Sequence, residues 1–279
     1  MKTLAENSRP ALTDRAALLR QRGRASRIGF VDVFHRIAAD EIHDRLDEVN
    51  RTFTRIAIVT GFPDLWQTEF PTAHVVSDEA VLDLAPGAYD LVIHAMAMHW
   101  AEDPVGQIVQ CARALQPDGL FIGAMFGGQT LAELRSALAQ AEADVTGGLS
   151  PRILPMGDIR DLGGLLGRGG LALPVADVIS QKASYRGLGH LAQDLRAMGE
   201  GNAIAARLRR PTRREVFARA GAILATHHAD RDDPSRIAVT FDLIFLTGWA
   251  PADNQPKPLR PGSAQTSLAK ALNDIRNKT

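Results

Sequence analysis

A chain of 279 residues is long enough to bury a large core, either as one domain or as two small ones. Its formal net charge is zero, with 32 basic and 32 acidic residues, so no global field attracts the protein to nucleic acid. The single cysteine, Cys111, excludes an internal disulfide framework and fits a reducing compartment. No apolar run approaches the roughly 20 residues that a membrane-spanning helix needs.

Helical and strand-like segments alternate along most of the chain. Helical periodicity predicts helices at 11–22, 30–46, 103–116, 130–145, 158–170, 187–198 and 212–228. Apolar and β-branched runs predict strands at 56–60, 74–77, 89–95, 119–126, 171–185 and 237–250. We therefore predict an N-terminal helical extension at 1–50, a main domain at 51–250 and a proline-rich tail at 251–279.

The order of these segments predicts the fold class. Strands that alternate with helices indicate an α/β protein with a doubly wound, mostly parallel sheet. A late, long strand after two helices fits an antiparallel strand added near the sheet edge. This is the order of a class I methyltransferase-like, Rossmann-like fold, in which a ligand binds at the carboxyl ends of the strands.

Several stretches carry a more specific resemblance. They are "YDLVIHAMAMHW" at 89–100, "ALQPDGLFIGAMFGGQTLAELRSAL" at 114–138, "SPRILPMGDIRDLGGLLGRGGL" at 150–171, "DLRAMGEGNA" at 194–203 and "QPKPLRPGSA" at 255–264. Together they closely resemble the complex I assembly-factor branch of the S-adenosylmethionine-dependent methyltransferase-like proteins. The mitochondrial member of that branch is regarded as an arginine hydroxylase that acts on a complex I subunit. The malonyl-carrier methyltransferase of biotin synthesis is a more distant relative.

The chain departs from that family at "IAIVTGFPD", residues 56–64. Family members have an acidic residue and a glycine-rich turn at this place, where the backbone approaches the cofactor closely. Aligned on this segment, the family acid falls on Ile58, and the family glycines fall on Thr60, Phe62 and Asp64. We expect the ring of Phe62 to lie where the methionine part of the cofactor would be.

The segment after this turn is also short, since only 28 residues separate Gly61 from Asp90. A crossover connection alone takes about 10–12 residues, so one αβ unit is predicted to be shortened or missing. Asp78 then has two interpretations. It is either the acid after strand two, which would bind the ribose hydroxyls, or it forms an acidic pair with Glu79 after strand three, near the adenine.

The candidate site residues follow from the resemblance and from these positions. If the cofactor site is retained, the residues expected to bind S-adenosylmethionine are Gly61, Asp78, Glu79, Ala95 and Met96. Substrate or partner contacts are expected at His99, Trp100, Gly127 and Gly128. The other interpretation is that the first two of these four are packing residues and that the two glycines serve a turn. No catalytic residue and no metal ligand is predicted.

Charged segments add two candidate surfaces. The first 27 residues contain seven cationic residues against two acidic ones, which is typical either of an arm for an acidic partner or lipid surface, or of a solvated helix face. A second basic cluster, at 209–214 around Pro211, has the same two interpretations.

The altered cofactor segment favours a non-catalytic protein. We expect a methyltransferase-fold accessory subunit or assembly factor of respiratory complex I, without a bound cofactor. The alternative is an active S-adenosylmethionine-dependent methyltransferase or protein-arginine hydroxylase that acts on a complex I subunit. The expected partners are complex I subunits or assembly intermediates. We expect a cytoplasmic location, peripheral on the cytoplasmic face of the inner membrane through complex I.

Overall fold

A mixed six-stranded sheet lies at the centre of the structure, a computed structural model that describes residues 10–256. The strand order is β2-β1-β3-β4-β6-β5. The strands are β1 (Ile56–Thr60), β2 (His74–Ser77), β3 (Tyr89–Ala95), β4 (Leu115–Gly127), β5 (Ala172–Tyr185) and β6 (Ile237–Trp249). The first four strands are parallel to one another, and β6 pairs antiparallel with both β4 and β5. This arrangement confirms the predicted class I methyltransferase-like fold.

Eight helices flank the sheet within the described residues. They are α1 (Arg15–Ile28), α2 (Val33–Glu48), α3 (Pro63–Glu69), α4 (Pro104–Ala114), α5 (Ala132–Thr146), α6 (Ile159–Arg168), α7 (Leu188–Ala197) and α8 (Arg214–His227). Side-chain caps fix where several of them begin: Asp14, Asp103 and Asp158 each accept a hydrogen bond from the first turn of α1, α4 and α6. Gly147, in the left-handed conformation, ends α5.

Two apolar layers cover the two faces of the sheet, as the alternation of side chains along a strand requires. Ile58 of β1 points into the layer formed with α2, α3, α5, α7 and α8. Its neighbours Ala57 and Val59 point into the opposite layer, formed with α4 and α6. Cys111 of α4 is fully buried in this second layer.

The predicted bounds of β1, β2 and β3 coincide with the observed strands. The helix predicted at 11–22 begins later, at Arg15, because Asp14 caps it, and it continues to Ile28. The short helix α3 has no counterpart in the sequence prediction. Residues 78–88 contain neither helix nor strand, so the segment between β1 and β3 holds a single helix and a single strand. One αβ unit is therefore missing, as predicted.

Helix α1 lies over the carboxyl ends of the parallel strands. The Thr13 hydroxyl donates to the carbonyl of Trp100 at 2.9 Å, and the Thr13 backbone forms an isolated bridge with Ile204. Arg22, further along the helix, reaches Asp78, which directly follows β2. The helix thus covers the edge of the sheet at which doubly wound folds bind their ligands. Among residues 10–256 we find no helix with the length and apolarity needed to cross a membrane.

Candidate functional site

The turn after β1 is filled by a side chain from α1. Gly61 follows the strand, and α3 begins two residues later at Pro63. A Cβ added to Gly61 would overlap the guanidinium of Arg22. The glycine therefore still permits a close approach to the backbone, as in the related fold, but the group that approaches belongs to the chain itself.

Arg22 and Asp78 form a buried, bidentate ion pair. Nη1 and Nη2 of Arg22 donate to the two carboxylate oxygens of Asp78 at 2.8 and 2.9 Å. Their side chains are only 6% and 5% exposed. A third bond comes from Nη2 of Arg15, at 2.9 Å. Burial by itself would raise the pKa of Asp78, but the hydrogen bonds and charges of the two arginines outweigh it and hold that pKa below its usual range.

The topology decides between the two interpretations of Asp78. Strand β2 pairs directly with β1, in register from Ala57↔His74 to Thr60↔Ser77. Asp78 therefore follows strand two, the position of the acid that binds ribose hydroxyls in related folds. Glu79 is beside it, with a side chain that is 55% exposed and bonded to Arg15 at 2.9 Å.

Phe62 is packed in an aromatic cluster at the same place. Its ring stacks on Phe30, with centroids 4.3 Å apart, and meets the edge of His35 at 4.9 Å. The guanidinium of Arg22 lies 5.7 Å from the ring centroid. A Cβ on Gly199 would come within 2.8 Å of the Phe62 ring, so the backbone of that loop closes over the ring.

As arranged, these residues do not fit S-adenosylmethionine. The ribose hydroxyls would need the oxygens of Asp78, and both oxygens already accept from Arg22. The same guanidinium fills the space beside Gly61, and Phe62 follows Gly61 in the turn. A cofactor that used the Asp78 oxygens would first have to displace the Arg22 guanidinium from them.

The two remaining cofactor candidates, Ala95 and Met96, lie at the end of β3. Both are buried, and the amide of Met96 donates to the carbonyl of Ala124 at 2.8 Å. Met96 has a φ of 52°, in the left-handed region that residues other than glycine adopt rarely. The chain thus turns sharply from β3 toward the segment that contains His99 and Trp100.

His99 and Trp100 meet at a buried carboxylate, Glu200. Nε1 of Trp100 donates to Oε2 of Glu200 at 2.8 Å, and Nε2 of His99 lies 3.3 Å from the same oxygen. Burial would raise the pKa of Glu200, but His99, the nearby Arg22 and the indole hydrogen bond together lower it. Sequence analysis missed Glu200; the only signal was its place between two glycines in the family segment "MGEGN".

A cavity of about 240 Å³ opens beside this cluster, between β4, the segment 152–156 and helices α5, α7 and α8. Its wall is mostly apolar, with the polar cluster on one side. Lining residues include His99, Trp100, Phe126, Leu138, Met156, Leu195, Glu200 and Phe241. The cavity has room for a side chain or a small molecule with an apolar body.

Gly127 and Gly128 form a tight turn that ends β4. Gly128 has a φ of 53°, and a Cβ there would lie 2.5 Å from Oδ2 of Asp242. The Asp242 carboxylate accepts from the amide of Gln129 at 2.7 Å and from the hydroxyl of Ser180 at 2.6 Å. This packing accounts for Gly128 through the turn and its close contacts. Among the described residues, no group of three histidine, cysteine or acidic side chains is placed to hold a metal ion.

Comparison with known proteins now places the chain in a class. The family profile described as "Methyltransferase domain" matches residues 38–123. Among solved structures, the YcgJ protein of Bacillus subtilis aligns with a TM-score of 0.45 and 11% identity, over 72% of this chain and 94% of that one. The fold and the domain match define a methyltransferase-fold protein.

Curated relatives identify the branch that it resembles. The mitochondrial arginine hydroxylase NDUFAF5 is 37% identical over 72% of this chain in Danio rerio and 36% identical over 76% in Homo sapiens. The malonyl-[acyl-carrier protein] O-methyltransferase of Laribacter hongkongensis is 32% identical over 68% of this chain. The resemblance indicated by the sequence motifs is thereby confirmed. The chain spans about three fifths of the length of these relatives: 62%, 60% and 61% respectively.

Proposed function

We propose that this protein is a methyltransferase-fold accessory subunit or assembly factor of respiratory complex I that acts through protein contacts, without catalysis. The observation that carries the proposal is the buried pair of Arg22 and Asp78, which fills the ribose position of the related fold with the chain's own guanidinium. The similarity to NDUFAF5 supports the choice of complex I as the partner.

The energy of this pair supports the absence of a cofactor. For S-adenosylmethionine to bind through Asp78, the Arg22 side chain would have to leave that buried carboxylate. Breaking one side of a buried ion pair costs about 3–5 kcal/mol, which corresponds to a loss of affinity between about 100-fold and several thousand-fold. Loss of one αβ unit further reduces the contacts available to the ribose or the adenine.

Partner contacts are proposed at three places. They are the loop that follows "AMAMHW", the "FGGQT" turn and the tail at 251–264. In the first of these, Glu102 and Asp103 are exposed, and Gln129 is exposed in the second. The part of the tail beyond residue 256 lies outside the described residues. The proposed location is the cytoplasmic face of the inner membrane, through complex I.

Native purification of complex I from the source organism, followed by mass spectrometry, tests this proposal. We expect the protein in the purified complex or in its assembly intermediates. Its abundance across density-gradient fractions should rise and fall with that of the complex I core subunits. A deletion strain provides the matched control for assembly. Absence of the protein from every complex I fraction would refute the proposal.

An active enzyme is the second candidate function. It is favoured by the cavity beside His99, Trp100 and Glu200, which places a buried carboxylate against an apolar chamber. Incubation of the purified protein with labelled S-adenosylmethionine and complex I subunits separates the two candidates. Turnover of S-adenosylmethionine that occurs only when the protein is present would establish that it is an enzyme.

A further inference from the structure

The outer face of α1 presents a row of arginines. Arg20, Arg24 and Arg27 are all exposed. Their spacing of four and three residues places them within about 60° of one another around the helix, since successive residues turn by about 100°. The opposite face contains Leu18 and Arg22, both buried against the body of the protein. We refer to the three exposed residues as the arginine row.

The arginine row forms no ion pair within the part of the chain that the structure describes. No hydrogen bond or ion pair there joins Arg20, Arg24 or Arg27 to a carboxylate, whereas Arg15 and Arg22 of the same helix are both paired with Asp78. The three cations extend over only about 10 Å of helix. That length is close to one Debye length at physiological salt, so their fields add at the surface.

The body of the protein holds the arginine row in place. Asp14 caps α1 and is paired with Arg207 at 2.9 Å. The backbone amide of Thr13 donates to the Glu102 carboxylate at 2.5 Å, and the Arg22–Asp78 pair fixes the middle of the helix. The helix backbone that carries the row is thus fixed, and it loses less conformational freedom on binding than a flexible arm would.

We propose that the arginine row is a docking surface for a carboxylate-rich protein surface. Arginine suits such a partner because its planar guanidinium can bind a carboxylate through two parallel hydrogen bonds. A lipid surface is less suited, because an interfacial helix needs a broad apolar face and α1 uses its apolar face inside the protein. Leu19 and Ile28 are the exposed large apolar residues of α1, one on each side of the row. The identity of the partner as complex I rests on the proposed function; the charge of the partner does not.

The first experiment uses a defined acidic probe, so that its result does not depend on complex I. Binding of fluorescent poly-L-glutamate is measured by anisotropy at low salt for the full chain and for the triple variant Arg20→Glu, Arg24→Glu and Arg27→Glu. The matched control reverses three exposed arginines elsewhere: Arg160→Glu, Arg168→Glu and Arg231→Glu. We expect affinity to fall at least tenfold in the arginine-row variant and to change less than twofold in the control. Equal affinity of the wild type and the arginine-row variant would overturn the proposal.

Two further arms identify the source of the negative charge. In the first, sedimentation with vesicles of anionic phosphatidylglycerol should not depend on the arginine row. If vesicle binding falls in the triple variant while poly-L-glutamate binding does not, the surface is a lipid contact and the proposal is wrong.

In the second, the tagged variants are recovered with complex I, and the arginine-row variant should be recovered at least tenfold less. If the wild type itself is not recovered, the proposed function fails while the poly-L-glutamate result still decides the docking surface.

Discussion

Replacement of Arg22 by alanine should destabilise the folded protein by about 3 kcal/mol. The substitution removes two charge-assisted hydrogen bonds from Asp78, whose side chain is 5% exposed and keeps one bond, from Arg15. Removing one partner of a buried pair costs about 3–5 kcal/mol, and the remaining bond places this case at the lower end. Arg15 is 32% exposed and is the matched control; its replacement by alanine should cost about 1 kcal/mol or less.

Urea unfolding followed by circular dichroism measures both variants. A double variant, Arg22→Met with Asp78→Leu, should recover most of the loss, because an apolar pair of similar volume leaves no buried charge. If Arg22→Ala costs less than about 1 kcal/mol, or costs no more than Arg15→Ala, the pair does not hold α1 against the sheet edge. The account of the filled ribose position would then be wrong.

Three further predictions concern pH, a turn and the cofactor. Burial lowers the pKa of His35 from 6.5 to about 4, so the unfolded chain takes up the proton first as pH falls. The free energy of unfolding should therefore drop by roughly 2 kcal/mol between pH 7 and pH 5. In urea titrations, His35→Gln should remove that part of the pH dependence. Gly128→Ala should lower the free energy of unfolding by about 2 kcal/mol or more in the same assay, since it adds a clash with Asp242 to the strain of a positive φ. The control, Gly147→Ala, has open space around its Cβ and should lower it by about 1 kcal/mol. Phe62→Gly should give no S-adenosylmethionine binding by calorimetry, because α1 and the missing αβ unit still prevent it; micromolar binding by this variant would contradict that reasoning.

The sheet could be predicted from the sequence because its strands are marked by continuous apolar runs between turn signals. The strands at 56–60 and 89–95 have the predicted bounds, since burial on both faces leaves little freedom in where such a run begins and ends. The edge strand at 74–77 also has the predicted bounds, although its two end residues are exposed. The missing unit could likewise be predicted, because a count of residues limits what a segment can hold.

The filled site could be predicted only in part. Phe62 stood out because it replaces an expected glycine, but the contact of Arg22 with Asp78 joins residues 56 positions apart. A salt bridge at that separation leaves no local pattern in the sequence, and Arg22 looked like one cation among seven. Glu200 was missed for the same reason, because its partners His99 and Trp100 are about 100 residues away.

Calorimetric titration of the 279-residue protein with S-adenosylmethionine measures whether the chain itself fills the cofactor site, with a methyltransferase that binds the cofactor as the positive control. We expect no heat beyond dilution up to millimolar cofactor, because Arg22 occupies Asp78 and the approach to Gly61. A saturable isotherm with a dissociation constant in the micromolar range would contradict this expectation.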